Sequence, residues 1–411
     1  MKQTIKILLI FFISITNAQD NNLRLEILSF PTDSNYWWLK HGNSGQYISQ
    51  SNISIKGGLK KGDVEYFSNL YYQENSGFAA KEIYLKYHFT KDSFLSIGKY
   101  YRDFSSYLND DLSSGSMLIS KNAEAMPKVG FVKLRKINED YSLKFGIAHG
   151  FFDKSGRGFD ELYIKAPYLH EKFLYLNISK NQTKYGVGIV HEAIWAGSTK
   201  ELGKQPSTIK DFFKIFISAD GEYDGGDHAN ALGSHLGIWD FYFIKNYDNN
   251  KKLKLYYQHF FEDTSSLRFA NKIDGLWGLE LSNYIPKSSL LIEYLDTTNC
   301  CIDPPYQDDN YYSNYQYLAG WTYQNNVLGN PFIQNTAAYQ ELIKLLHIGL
   351  SSRYNENEFK IKISKKISET DEIKYFSSFY KPINENLFLN FSIFGNNVST
   401  GFGFGLAYLF N

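Results

Sequence analysis

Gly401-Phe402-Gly403-Phe404-Gly405-Leu406-Ala407-Tyr408-Leu409-Phe410 alternates a large apolar face (Phe402, Phe404, Leu406, Tyr408, Phe410) with a mostly small one (Gly401, Gly403, Gly405, Ala407). Successive side chains of a strand point to opposite faces, so one side of this segment suits lipid and the other packs closely or lines a lumen. That is the pattern of a transmembrane β-barrel strand.

The spacing of Gly405, Tyr408 and Phe410 also resembles the C-terminal signal read by barrel-insertion machinery, with one further residue, Asn411, after the aromatic. At the other end, Met1 to Ala18 has a basic start (Lys2, Lys6), an apolar run from Ile7 to Ile15, and Thr16 and Ala18 where a signal peptidase reads. Residues 1–18 are therefore expected to be a signal peptide, with the mature chain beginning at Gln19 rather than at a lipid-carrying Cys. After Ala18 no apolar stretch approaches the roughly 18–20 residues a spanning helix needs, which excludes a helical membrane protein.

Aromatic residues make up 17% of the chain, with 33 Tyr and 32 Phe, while hydrophobic content is only 43%. A soluble domain of this size places more Leu, Val and Ala in one core. A barrel instead needs outward apolar side chains at alternate positions and aromatic girdles at the membrane interfaces, and does not require such a core. Removing Lys2 and Lys6 with the signal leaves 41 basic against 43 acidic residues, a balance that gives no support to nucleic-acid binding.

Alternating segments recur from Gln46 onward, punctuated by turn sequences such as Asn249-Asn250-Lys251, Asn355-Glu356-Asn357 and Asn384-Glu385-Asn386. The fold class is all-β: a transmembrane antiparallel β-barrel of about 18 strands spanning 46–411, preceded by an N-terminal periplasmic segment over 19–45. A long connection from about Ala193 to Ala231 interrupts the rhythm. Within it, Gln205 to Ile217 sets Ile209, Phe212, Phe213 and Phe216 at helical spacing after Pro206 and Ser207, predicting a short amphipathic helix. Two placements follow for this helix: on the barrel mouth, or folded into the lumen as a constriction. Thr297 to Asn314 reads as an extracellular loop, in which the adjacent Cys300 and Cys301 have three options: a vicinal disulfide, free thiols, or a bond to another molecule.

Catalytic signatures fail on spacing. His191-Glu192-Ala193-Ile194-Trp195 begins like a zinc-protease helix but has Trp where the second His is required. Asp220 to Asp227 is acidic and glycine-rich without the ligand spacing of a Ca²⁺ loop. Ser234-His235 lacks a third orienting group, and neighbours on a strand point to opposite faces. No catalytic residue, metal or cofactor is assigned.

The blocks Asn230-Ala231-Leu232-Gly233-Ser234-His235-Leu236-Gly237-Ile238-Trp239-Asp240-Phe241, Tyr257-Gln258-His259-Phe260-Phe261-Glu262-Asp263, Asp274-Gly275-Leu276-Trp277-Gly278, Leu291-Ile292-Glu293-Tyr294, Asp309-Asn310-Tyr311-Tyr312-Ser313-Asn314-Tyr315, Gly320-Trp321-Thr322-Tyr323 and Leu328-Gly329-Asn330-Pro331-Phe332 occur in this order. They resemble the Wzi capsule-assembly family of outer-membrane barrels, best over Lys184 to Phe332. The resemblance implies a noncatalytic, partly occluded eighteen-stranded barrel that binds capsular or other surface polysaccharide and retains it on the cell. Its other partners are outer-membrane lipid and the insertion machinery. From residue type and location, the polysaccharide contacts are expected at Trp195, His235, Trp239, Tyr257, Gln258, Glu262, Asp263, Tyr311, Asn314 and Trp321. The alternative is a diffusion porin, which would keep an open lumen lined by opposed charge rows.

Overall fold

The computed structural model describes residues 23–30, 37–45, 51–73, 77–156, 162–221, 231–299, 310–336, 338–367 and 372–410. Eighteen antiparallel strands form one closed sheet: β1 Leu23–Ser29, β2 Ser51–Lys61, β3 Val64–Gln73, β4 Gly77–Thr90, β5 Ser93–Lys99, β6 Pro127–Lys136, β7 Tyr141–Phe151, β8 Tyr168–Lys180 and β9 Thr183–Trp195 in the first half. The second half is β10 Ser234–Asn246, β11 Lys252–Phe261, β12 Gly275–Ser282, β13 Ser288–Asp296, β14 Lys344–Tyr354, β15 Asn357–Lys366, β16 Ile373–Pro382, β17 Leu387–Asn396 and β18 Thr400–Phe410. Closure is made by β1 against β18, from Leu23↔Phe410 to Ser29↔Phe404. With every edge paired, no strand is left with unsatisfied backbone groups in hydrocarbon.

The expected N-terminal boundary is therefore corrected. Leu23–Ser29 is a barrel strand, not part of a separate periplasmic segment, because Leu23, Leu25 and Ile27 alternate with Arg24, Glu26 and Leu28. The proposed signal peptide lies outside the described residues.

Faces follow the alternation. In β18 the side chains of Phe402, Phe404, Leu406 and Tyr408 are exposed, whereas Gly401, Gly403 and Ala407 are buried. On the outer side Phe359, Phe379, Phe391 and Phe404 form a row of neighbouring rings across β15 to β18, with centroids 4.7, 6.4 and 5.3 Å apart. Every second connection, starting with 62–63 and ending with 383–386, is a tight turn of two to five residues at the end where both described termini lie. Connections 100–126, 152–167, 196–233, 262–274 and 297–343 leave the opposite end. Short turns are periplasmic and long loops extracellular in such barrels, which orients the molecule.

The lumen holds an apolar core after all. Loop 100–126 folds inward and buries Phe104, Leu112, Met117 and Leu118, and loop 297–343 adds Tyr311, Tyr312, Trp321 and Phe332. Helix α1, Trp37–Lys40, packs on them, with the Trp37 ring 4.1 Å from that of Phe332. Inward aromatic rings also explain the strand glycines. A Cβ at Gly188, Gly186 or Gly278 would run into the rings of Tyr175, Tyr242 or Tyr256, each on the neighbouring strand. A large part of the aromatic content thus fills the lumen instead of forming girdles.

The predicted helix exists as α2, Ile209–Phe216, capped by Thr208, whose hydroxyl accepts from Asp211 N at 3.2 Å. It occupies neither expected position. Phe212 packs on His149, His170 and Trp195, which share the outward parity of Phe151, Leu174 and Val187, so α2 lies against the outer wall at the extracellular ends of β7 to β10. Ile215 is fully buried there, while Ile209, Phe213 and Ile217 are exposed. Ile215→Ala is expected to cost the attachment of α2 about 2–5 kcal/mol. Protease cleavage within 196–233 should rise sharply while the barrel keeps its resistance to unfolding in detergent gels.

Candidate functional site

Five consecutive strands each aim a polar side chain inward at loop 100–126. On β10, Asp240 accepts from Ser105 Oγ (2.5 Å), Tyr175 Oη (2.6 Å) and Tyr107 Oη. On β11, Gln258 Oε1 accepts from Met117 N at 3.0 Å and its Nε2 donates to Ser105 Oγ at 3.1 Å. Glu280 of β12 accepts from Asn109 Nδ2 at 2.9 Å. Glu293 of β13 accepts from Ser113 Oγ (2.7 Å), Ser114 N (2.6 Å) and Tyr256 Oη. His347 of β14 donates from Nε2 to the Leu112 carbonyl at 2.6 Å. The loop is thereby held across the lumen by a network of buried hydrogen bonds.

Above it lies an extracellular cap. Asp274 Oδ1 accepts from Asn299 N and Nδ2 at 2.8 and 3.0 Å, and its Oδ2 accepts from Tyr311 Oη at 2.8 Å. Asn271 Nδ2 donates to Tyr311 Oη at 2.9 Å and to the Phe260 carbonyl at 2.7 Å, tying the cap to β11. Burial raises the Asp274 carboxyl to about 6. Tyr312 N donates to Glu262 Oε1 at 3.0 Å, and Tyr312 Oη accepts from Asn330 N at 2.9 Å and donates to the Met117 carbonyl, joining cap and inward loop. Helix α3, Thr264–Leu267, starts at Asp263, whose carboxylate accepts from Ser266 N at 2.8 Å.

The ten expected contacts are not brought together. Trp195, His235, Trp239 and Tyr257 lie on the outer wall. Trp195 packs on Phe212 of α2, and His235 donates from Nε2 to the Leu232 carbonyl at 2.8 Å and accepts from His191 Nε2 at 2.8 Å. Trp239 Nε1 donates to the Leu267 carbonyl at 3.1 Å, and the Tyr257 ring stacks 3.7 Å from that of Trp277. Gln258 faces the lumen. Glu262, Asp263, Tyr311 and Trp321 are structural members of the cap, with Tyr311 and Trp321 essentially inaccessible. Asn314 Oδ1 accepts from Gln316 N and Tyr317 N at 2.8 and 3.0 Å, shaping a turn that leaves Tyr315 59% exposed. Tyr315 and the lumenal carboxylates Asp240, Glu280 and Glu293 are not among the ten; the signal for the carboxylates is charge at the inward parity of a largely apolar strand.

His191 and Glu192 occupy opposite faces of β9, as a strand demands, so they form no helical metal motif. Among the described residues no group of three or more His, Cys, Asp or Glu is placed to hold a metal ion. Cys300, Cys301 and the acidic stretch after Gly221 lie outside the described residues.

Comparison with known proteins follows this geometry. No curated protein matches the chain. Among solved structures, Wzi of Escherichia coli, an outer membrane protein involved in group 1 capsule assembly and a carbohydrate-binding β-barrel, is 13% identical, with a TM-score of 0.61 over 97% of this chain and 86% of that one. Acinetobacter baumannii OccAB4 (8% identical, TM-score 0.45, 96% and 99% covered) and Pseudomonas aeruginosa OpdQ (8%, 0.43, 95% and 96%) are more distant. The family model for capsule assembly protein Wzi matches residues 42–390, well over half of the sequence, and so the chain belongs to the Wzi family of outer-membrane capsule assembly barrels.

Proposed function

We propose that this outer-membrane barrel binds capsular or other surface polysaccharide on its extracellular cap and retains it there without making or breaking a covalent bond. The observation that carries this reading is the lumen crossed by loop 100–126, which every strand from β10 to β14 anchors and which leaves the outward loops as the surface a polymer meets. A diffusion porin needs an open passage instead. The obstruction differs from the expected one, because α2 lies outside the barrel and the inward loops fill it together with α1 and strand tyrosines.

Asn314 and the exposed Tyr315 offer an amide and a ring face of the kind that holds sugars. Each such contact is weak, but a long polymer touching many barrels gains avidity through effective concentration. The outward rings of β15 to β18 suit outer-membrane lipid, and the C-terminal aromatic residues suit recognition by the insertion machinery.

A deletion strain is expected to make polymer at the normal rate and shed it into the medium, and restoring the gene with Tyr315→Ala should recover only part of the cell-bound fraction. Undiminished surface polymer in the deletion strain would refute retention. In a planar bilayer the purified protein should pass no steady current; large steady channels would favour the porin.

A further inference from the structure

Beyond the anchored loop, strands β1 to β3 and β14 to β17 enclose two adjoining cavities of about 500 and 240 Å³. The larger reaches the periplasmic turns, where Lys287 and Arg353 line it; the smaller continues inward to α1, where Trp38 and Leu39 close it. Eight Lys and Arg side chains line the pair against four carboxylates, in a chain whose formal charge is zero. The carboxylates are already engaged: Glu26 with Arg24 at 3.5 Å, Asp111 with Lys121 at 3.5 Å, Asp110 with Arg102 at 2.6 Å, and Glu358 with Arg353.

Lys56, Lys81, Lys287, Lys360 and Lys362 are left without a carboxylate ion pair among the described residues. Lys362 Nζ instead sits 3.9 Å over the Trp38 ring, and Lys81 Nζ donates to Asn43 Oδ1 at 3.4 Å. The field of this cluster is felt by Asp111 on the inward loop, whose carboxyl is held down to about 2, first by Lys360 and further by Lys121 and Lys56. Cations gathered in a walled cavity repel one another and attract anions more strongly than they would in open water. The rest of the lining is largely neutral and polar, including Ser54, Asn69 and Ser378, groups that bond to hydroxyls.

We propose that this cavity is a binding site, entered from the periplasmic mouth, for an acidic sugar, whose carboxylate or phosphate neutralises Lys56, Lys81 and Lys360 while Ser54, Asn69 and Ser378 bond to its hydroxyls. The combined space falls in the roughly 300–1,000 Å³ range of small-ligand sites. The site is separate from the outward face, and it stands or falls independently of polymer retention there.

Calorimetric titration of the purified full-length protein in detergent tests it with three probes: trigalacturonate, the neutral trisaccharide maltotriose, and inorganic phosphate. Trigalacturonate is expected to bind with an affinity that falls as salt is raised, and maltotriose to bind far more weakly. Lys56→Gln with Lys360→Gln should weaken trigalacturonate about tenfold or more, and Lys56→Arg with Lys360→Arg should restore most of it. A heat-dependent mobility shift on gels confirms that each variant is folded. Phosphate binding with the same lysine dependence would support the oxyanion site and name phosphate as a sufficient ligand group. Equal affinity for maltotriose, an unchanged affinity in the folded glutamine variant, or no binding of either anion would overturn the proposal.

Discussion

Asp240→Ala combined with Glu293→Ala is expected to turn a closed barrel into a conducting one. Each carboxylate is buried and collects three donors; four of those six come from loop 100–126 and the other two are the strand tyrosines Tyr175 and Tyr256 that wall it in. Removing one partner from such a network strands the others, at a cost on the order of 3–5 kcal/mol per site. The loop retains its apolar contacts through Phe104, Leu112, Met117 and Leu118, so release is local and the eighteen-strand ladder survives. Purified double variant in a planar bilayer should therefore carry steady current where the parent carries none, and proteases should cut between Arg102 and Lys121. Asp240→Asn with Glu293→Gln keeps one acceptor at each position and should give a smaller, flickering leak. A closed, protease-resistant double alanine variant would mean that apolar packing alone holds the loop.

What the sequence made legible was set by local periodicity. Phe402 to Phe410 and most other strands declared their faces because outward residues are apolar and inward ones are small or polar. β1 escaped because Leu23–Ser29 is only seven residues long and places Arg24 and Glu26 inward, which reads as a polar leader until β18 is known to pair with it. The glycine–tyrosine pairs were unreadable in principle. Gly188 and Tyr175 are neighbours only through the register of β8 against β9, which no local pattern fixes. Helix α2 was legible as an amphipathic element, but its partner was not, since the outward wall it covers carries His149, His170 and Lys172 where lipid-facing residues would be apolar.

The candidate site was only partly legible for a related reason. Tyr257 and Gln258 were grouped by residue type although adjacent strand positions cannot share a face, and the structure sends one to the outer wall and the other to the lumen. Aromatic and amide side chains are used here first as mortar: Trp239 bonds α3, Tyr311 braces Asp274, and Gln258 holds Met117. Binding to a polymer needs side chains left over from that work, and Tyr315 is such a residue because the Asn314 turn pushes it outward.

The cap built on Asp274 should loosen as the medium passes from acid to neutral. Its carboxyl is raised from an ordinary value near 3.8 to about 6, chiefly by burial and against the hydrogen bonds from Asn299 and Tyr311. A group whose folded value lies above its unfolded one binds more protons when folded. Its contribution is therefore complete below about pH 4, is lost as pH rises through 6, and stays lost above. A shift of this size corresponds to roughly 3 kcal/mol. Hydrogen exchange of the amides in 262–274 and 310–336 should be slowest near pH 4 once intrinsic rates are divided out, and should quicken up to pH 6 and then level. Asp274→Asn is neutral at every pH and can donate to Tyr311 Oη, so its exchange profile should be flat across the same window. If the wild-type and Asn profiles coincide, the Asp274 carboxylate is not what tunes the cap, and the pH sensitivity of the outward surface has to be sought in other groups.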